Sequence, residues 1–105
     1  METSVINIAE QFTRFPAGRY RSDGPYSGQR FREDLLVPAL REFAQVAVQL
    51  DGTMGYGSSF LEEAFGGLIR TESFEPKDLQ KRIKLESRDA SLINEIEEYL
   101  SVPHH

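Results

Sequence analysis

The chain has no cysteine, and its only histidines are His104 and His105. The first absence excludes disulfides, thiol catalysis and cysteine-based metal sites, and it suits a reducing cytoplasm. The second leaves no imidazole in the body of the chain to serve as a general base. No apolar run approaches the roughly 20 residues of a membrane helix. The N-terminal METSVINIAEQ lacks the basic flank and apolar centre of a signal peptide. A cytoplasmic protein without a membrane role is expected. There is no Gly-Lys-Ser/Thr element, and Phe60 stands where the third glycine of a dinucleotide fingerprint would be. The nucleophile elbow also fails, because Tyr56 and Phe60 flank Ser58 at its two glycine positions, and Leu61 ends the match for Ser59. No suitable acid/base pair is visible. The expectation is a protein that is not an enzyme and carries no catalytic residues, cofactor or metal.

What is present fits one domain over residues 1–105, with 1–4 and 102–105 expected to be disordered. Hydrophobic residues make up 39% and charged residues 28%, ordinary values for a globular core and surface. The net charge of −5 is unevenly placed: residues 1–32 carry five arginines against Glu2, Glu10 and Asp23, and the remainder carries twice as many acids as bases. The basic third is either a surface paired with acidic neighbours or a docking patch for an acidic partner or phosphate. The acidic total disfavours nucleic acid.

Hydrophobic periodicity predicts a β-β-α-β-α-β-α order. Val5 to Ile8 is a short strand run, and Arg19-Tyr20-Arg21 is a second strand candidate. Asp23-Gly24-Pro25 signals a turn. A helix is predicted from Ser27 or Gly28 to Phe43, with Phe31, Leu35, Leu36, Ala39, Leu40 and Phe43 as its stripe and Pro38 kinking or interrupting it. Val46–Asp51 alternates as a strand, and Ser59–Arg70 follows as a helix. Pro76 opens a short helical turn, Ile83 and Leu85 mark a half-exposed strand, and Asp89 or Ser91 caps a last helix. The fold class is α/β, with helices packed on the sheet. Gly66 and Gly67 each cost a helix roughly 1 kcal/mol relative to alanine, which argues a close approach there, to the sheet or to a partner.

The stretch from Val46 to Arg70 is the most informative. Gly52, Gly55 and Gly57 let the chain turn between strand and helix. Ser59 and Glu62 have capping-box spacing. Ser58 is expected at the strand end, exposed, beside the positive end of the helix. The two serines either satisfy free N–H groups, act as a modification switch, or touch a ligand. Glu62-Glu63 reads as a solvated edge in preference to a metal site. Asp23 folds an Asx-type turn or holds a contact loop rigid. Tyr26 and Tyr56 are candidate exposed contact residues.

Two segments, GRYRSDGPYSGQRFREDLLVPAL and VAVQLDGTMGYGSSFLEEAFGGLIR, together resemble the STAS-like domains of unknown function of bacteria and phages, themselves similar to the STAS domain of anti-sigma factor antagonists. The resemblance implies a STAS-like mixed sheet and a regulatory, protein-binding role. In the antagonists a serine at the strand–helix turn is phosphorylated by an ATP-dependent, histidine-kinase-like partner that sequesters a sigma factor. Position by position, Ser58 takes the place of that serine and Ser59 that of the residue after it. Gly57 replaces the preceding aspartate and Phe60 the following glycine. The expected switch residues are Ser58 and Ser59, and the expected partner surface comprises Asp23, Gly24, Tyr26, Ser27, Tyr56, Gly57, Glu62 and Glu63. A phosphate- or nucleotide-binding sensor is the alternative.

Overall fold

Val46, Ala47 and Val48 are consecutive and all buried, as befits a strand flanked on both sides in a parallel sheet. The computed structural model describes residues 2–101. In it β1 (Thr3–Asn7), β2 (Gln45–Gln49) and β3 (Ile83–Glu86) form a parallel sheet in the order β1-β2-β3. Ile6, Val48 and Leu85 lie in register on one face, next to Ser4, Val46 and Ile83, and this face meets the helices. The opposite face carries Val5, Ala47 and Lys84 in register, with Val5 and Lys84 exposed. The architecture is therefore a two-layer α/β arrangement.

Between β1 and β2 come the single turn α1 (Ile8–Gln11) and the long helix α2 (residues 28–42). Asn7 ends the strand and opens α1, its side chain accepting from the Glu10 N–H at 3.1 Å. Ser27 caps α2, its hydroxyl accepting from the Arg30 N–H at 3.1 Å. Helix α3 (residues 58–70) and α4 (Pro76–Arg82) connect β2 to β3, and α5 (Ala90–Ser101) closes the described chain. Asp89 caps α5, accepting from the Ser91 and Leu92 N–H groups.

Both long helices widen into π turns in their middle, over Arg32–Leu36 and Glu62–Gly66. In α2 the Val37 N–H donates to the Arg32 carbonyl, five residues back. Pro38 follows directly, so the wide turn takes up the hydrogen bond that proline cannot make, and the helix continues instead of breaking. Phe31 packs its ring 6.1 Å from Phe60 and 6.2 Å from Phe65. These rings, with Ile8, Val46, Val48, Leu68, Leu79 and Ile96, make the core.

Three expectations change. Arg19–Arg21 is not a strand: the Asp23 carboxylate accepts from the Arg19 and Tyr20 N–H groups, curling Arg21–Asp23 into a 3₁₀ turn. The order becomes β-α-α-β-α-α-β-α, and the sheet is wholly parallel among the described residues instead of mixed. Thr3 and Ser4, expected to be disordered, pair with Gln45 and Val46. The other expected disordered segment, 102–105, lies outside the described residues, as does Met1.

A charged side chain sits where α2 crosses α3. Arg32 is 2% exposed. Its Nη1 donates to the Glu63 carbonyl at 2.6 Å and to the Glu63 carboxylate at 2.7 Å, and its Nε reaches Glu72 at 3.1 Å. A Cβ on Gly67 would overlap this guanidinium, and one on Gly28 would overlap the Phe60 carbonyl. The expected close approach is thus internal, between helices. Alanine is about 1 kcal/mol better than glycine in a helix interior, yet overpacking against a clamped guanidinium costs roughly 1–3 kcal/mol. Gly67→Ala should therefore destabilise the wild type and become neutral or stabilising in an Arg32→Ala background, as read from urea midpoints. A gain of stability in the wild-type background would refute this packing.

Candidate functional surface

A parallel sheet sends every strand's carboxyl end to the same edge, so the following loops gather there. After β2, Gly52 and Gly55 hold φ of 100° and 117°, which side chains resist. The loop they shape is pinned at several points. Tyr56 donates its hydroxyl to the Leu50 carbonyl at 2.7 Å. Asp51 accepts from the Ser87 hydroxyl at 2.8 Å and from the Arg88 N–H at 3.1 Å, tying the loop to the segment after β3. The Met54 N–H donates to the Arg14 carbonyl at 2.8 Å, tying it to the segment after α1. Loops so fixed present their outward side chains in a set position.

Those outward side chains are apolar. Phe15 is 65% exposed and Met54 72% exposed, on the two segments that the Met54–Arg14 bond joins. Phe15 lies beside Pro16 and has the look of a core residue in the linear pattern. The only signal for Met54 was an apolar residue between two turn glycines. Tyr20 and Tyr26 are exposed on the neighbouring loop. Tyr26 meets Phe12 edge to face at 5.6 Å, and the Arg30 guanidinium lies 5.4 Å from the Tyr26 ring.

Ser58 and Ser59 are both exposed in the first turn of α3. Gly57 occupies the cap position, and no side chain caps this helix. The Ser59–Glu62 capping box does not form, because the helix starts one residue earlier and places Ser59 inside its first turn, and Glu62 is held by Arg19 and Arg70. Burial works to raise the Glu62 carboxyl, but those two guanidiniums outweigh it and leave it below the ordinary glutamate value. The Ser58 hydroxyl interacts with Tyr99, whose own hydroxyl donates to Glu95 at 2.7 Å. Burial, then Glu95, pushes the Tyr99 phenol up to about 12.

The other expected partner residues divide. Tyr26 is exposed; Ser27 is buried and spent on capping α2. Asp23 is exposed, but its carboxylate folds its own loop, and the Gly24 N–H closes the same turn on the Arg21 carbonyl. Tyr56 is half-buried, packed 5.9 Å from Phe60. Glu63 is neither a solvated edge nor a surface contact: its side chain is 5% exposed and paired with Arg32, Arg19 and Arg70. Four of the five arginines of the basic third are paired in the same way. Arg19 pairs with Glu62, Arg21 with Glu33 and Asp34, Arg30 with Asp34, and Arg32 with Glu63 and Glu72.

A cleft of about 300 Å³ opens between the 50–56 loop and the start of α5. Its charged lining is Asp51, Asp89 and Glu95, with no basic side chain. An anion entering it would face three carboxylates, which opposes phosphate or nucleotide binding.

Burial pushes the Tyr56 phenol up to about 12 from 10.0, Thr53 pulling it back and Asp51 adding to the rise. The neutral phenol is the favoured form in the fold. The stability it contributes is complete below pH 10 and is lost as the pH rises through about 12. Tyr56→Phe should remove one of the late-ionising tyrosines from a spectrophotometric titration and leave that of Tyr99. Loss of a tyrosine that ionises at the ordinary value, with both late ionisations kept, would contradict the buried position.

Among the described residues no helix is long and apolar enough to cross a membrane. No curated protein and no solved structure matches the chain. A family model described as a STAS-like domain of unknown function matches residues 27–91. That span runs from the cap of α2 to the first turn of α5 and takes in β2, β3, the glycine-rich loop and the Arg32–Glu63 crossing. Covering more than half of the sequence, it identifies the chain as a member of the family of STAS-like domains of unknown function.

Proposed function

We propose that this domain is a non-catalytic regulatory module that docks a protein partner through the loops at the carboxyl ends of its strands. The observation that carries the reading is the pair of exposed apolar side chains, Phe15 and Met54, on segments pinned to each other by a backbone hydrogen bond. Apolar side chains held out on rigid loops are suited to an interface core, where burying one contributes roughly 1.5–3 kcal/mol. Tyr20 and Tyr26 extend the surface with side chains that lose little entropy on binding.

The partner we favour is an ATP-dependent serine kinase of the histidine-kinase-like type, as the resemblance to anti-sigma factor antagonists implies, with Ser58 as its substrate. Two features support it. Ser58 is exposed, and it opens a helix whose free N–H groups stabilise added negative charge. A phosphate there adds about −1.5 to −2 charge, set against Glu62 and Glu95 close by. The modification would therefore strain the Ser58–Tyr99 contact and deepen the negative charge beside the docking loops, releasing a partner that docks on the unmodified surface.

Affinity capture from the native host tests this. The wild type should retain an ATPase of that class. Phe15→Ser/Met54→Ser and Ser58→Asp should each weaken binding at least about tenfold, equivalent to about 1.4 kcal/mol. Nucleoside triphosphates alone should leave the melting temperature of the isolated domain unchanged, whereas a ligand at 100 times its Kd would stabilise it by about 2.7 kcal/mol. Failure to recover such an ATPase, or equal binding by the variants, would count against the proposal.

A further inference from the structure

A second surface lies on the opposite flank of the sheet. β3 is an edge strand, since the strand order among the described residues ends with it. A groove of about 500 Å³ runs beside it. Ile83, Leu85 and Leu100 form its apolar floor, and Asn94, Glu97 and Glu98 stand along the α5 wall. Helix α5 packs chiefly on α3 and α4, so it flanks the strand edge instead of sealing it. An edge strand with unpaired backbone groups is a template for another strand.

The charge on α5 is placed against the helix's own preference. Beyond the capping Asp89, the helix has no acid in its first turn, carries Glu97 and Glu98 in its second half, and has no base in its last turn. The carbonyl end of a helix favours cations. Glu97 and Glu98 are exposed and make no ion pair among the described residues. A local cost with no compensating ion pair among the described residues marks the groove as a place suited to compensation from outside. A second copy of the chain would not supply it. Pairing β3 with β3 would bring two acidic α5 helices together, on a chain of net charge −5. Lys84, the base nearest the edge, points to the other sheet face, within 4.0 Å of Glu86.

We propose that the β3 edge and the α5 wall accept an extended basic segment of another protein as a fourth strand. Main-chain hydrogen bonds to β3 would supply its register. Lysine or arginine side chains on the helix-facing side of the added strand would lay their methylene stems over Ile83 and Leu85 and bring their charged heads to Glu97 and Glu98. The site is separate from the loop surface of the proposed docking function, so either can hold without the other.

The test uses the full chain labelled for amide NMR, with two blocked synthetic peptides as probes, one alternating lysine and valine and the other alternating glutamate and valine. The lysine peptide should slow hydrogen exchange at β3 amides within residues 83–86, with an affinity that falls as salt is added. The glutamate peptide should not. Glu97→Lys/Glu98→Lys should bind the lysine peptide at least about tenfold more weakly while melting at the same or a higher temperature, because lysine suits the end of α5. Asn94→Lys, on the same wall, should weaken binding in the same direction. Absence of β3 protection, equal binding of the two peptides, or full affinity in both variants would overturn the proposal. So would concentration-dependent dimerisation through β3, which would assign the edge to a second copy.

Discussion

The buried guanidinium of Arg32 governs how α2 and α3 meet. A cation at 2% exposure is tolerable only if its charge and its donors are answered. The Glu63 carboxylate and carbonyl, with Glu72, answer them. A buried pair of this kind adds little net stability compared with a well-packed apolar pair, yet removing one partner costs roughly 3–5 kcal/mol. A domain of this size has only about 5–15 kcal/mol to lose. The pair therefore acts mainly on geometry: it fixes where α2 and α3 cross and in which register. Gly28 and Gly67 make the close approach sterically possible, and both helices widen into π turns at the same crossing.

That crossing sets the loop surface. Helix α3 carries Ser58 and Ser59 at its start and Glu62 and Glu63 one turn on. With Glu63 locked to Arg32, and Glu62 bridging Arg19 and Arg70, the first turn of α3 cannot roll without breaking ion pairs. The glycine-rich loop before it is fastened to the segments after α1 and after β3. A network of surface pairs such as Arg21 with Glu33 and Asp34 supports the same layout at about 0.2–1 kcal/mol each, an order of effect well below that of the buried pair. A rigid base under exposed apolar groups suits recognition without large rearrangement.

Much of the fold was legible in the sequence because its signals are local. The stripe Phe31, Leu36, Leu40 and the stripe Phe60, Ala64, Phe65, Leu68 give helical periods. Val46 and Val48 give a strand, and Ser27 and Asp89 are caps by residue type and position. The Arg19–Arg21 strand failed because the Asp23 carboxylate competes for the same backbone, a local choice that alternation does not reveal. The candidate site was less legible for a different reason. Glu62-Glu63 and the five N-terminal arginines look like solvated charge when taken along the chain, and only tertiary packing brings them together. Nothing in the linear pattern separates Phe15, exposed, from Phe12, half-buried against Phe31 and Phe60. Tyr56 looked like a loop contact and is instead a prop beneath the loop.

Arg32 and Glu63 form one buried unit that positions α3. A double-mutant cycle of Arg32→Met and Glu63→Met, followed by chemical denaturation, measures it most directly. Each single replacement should cost about 3 kcal/mol or more, and the double replacement should recover most of that loss, because neither buried charge is then left without the other, Arg19 and Arg70 keep Glu62, and Glu72 lies nearer the surface. Additive losses, or single variants as stable as the wild type, would contradict it.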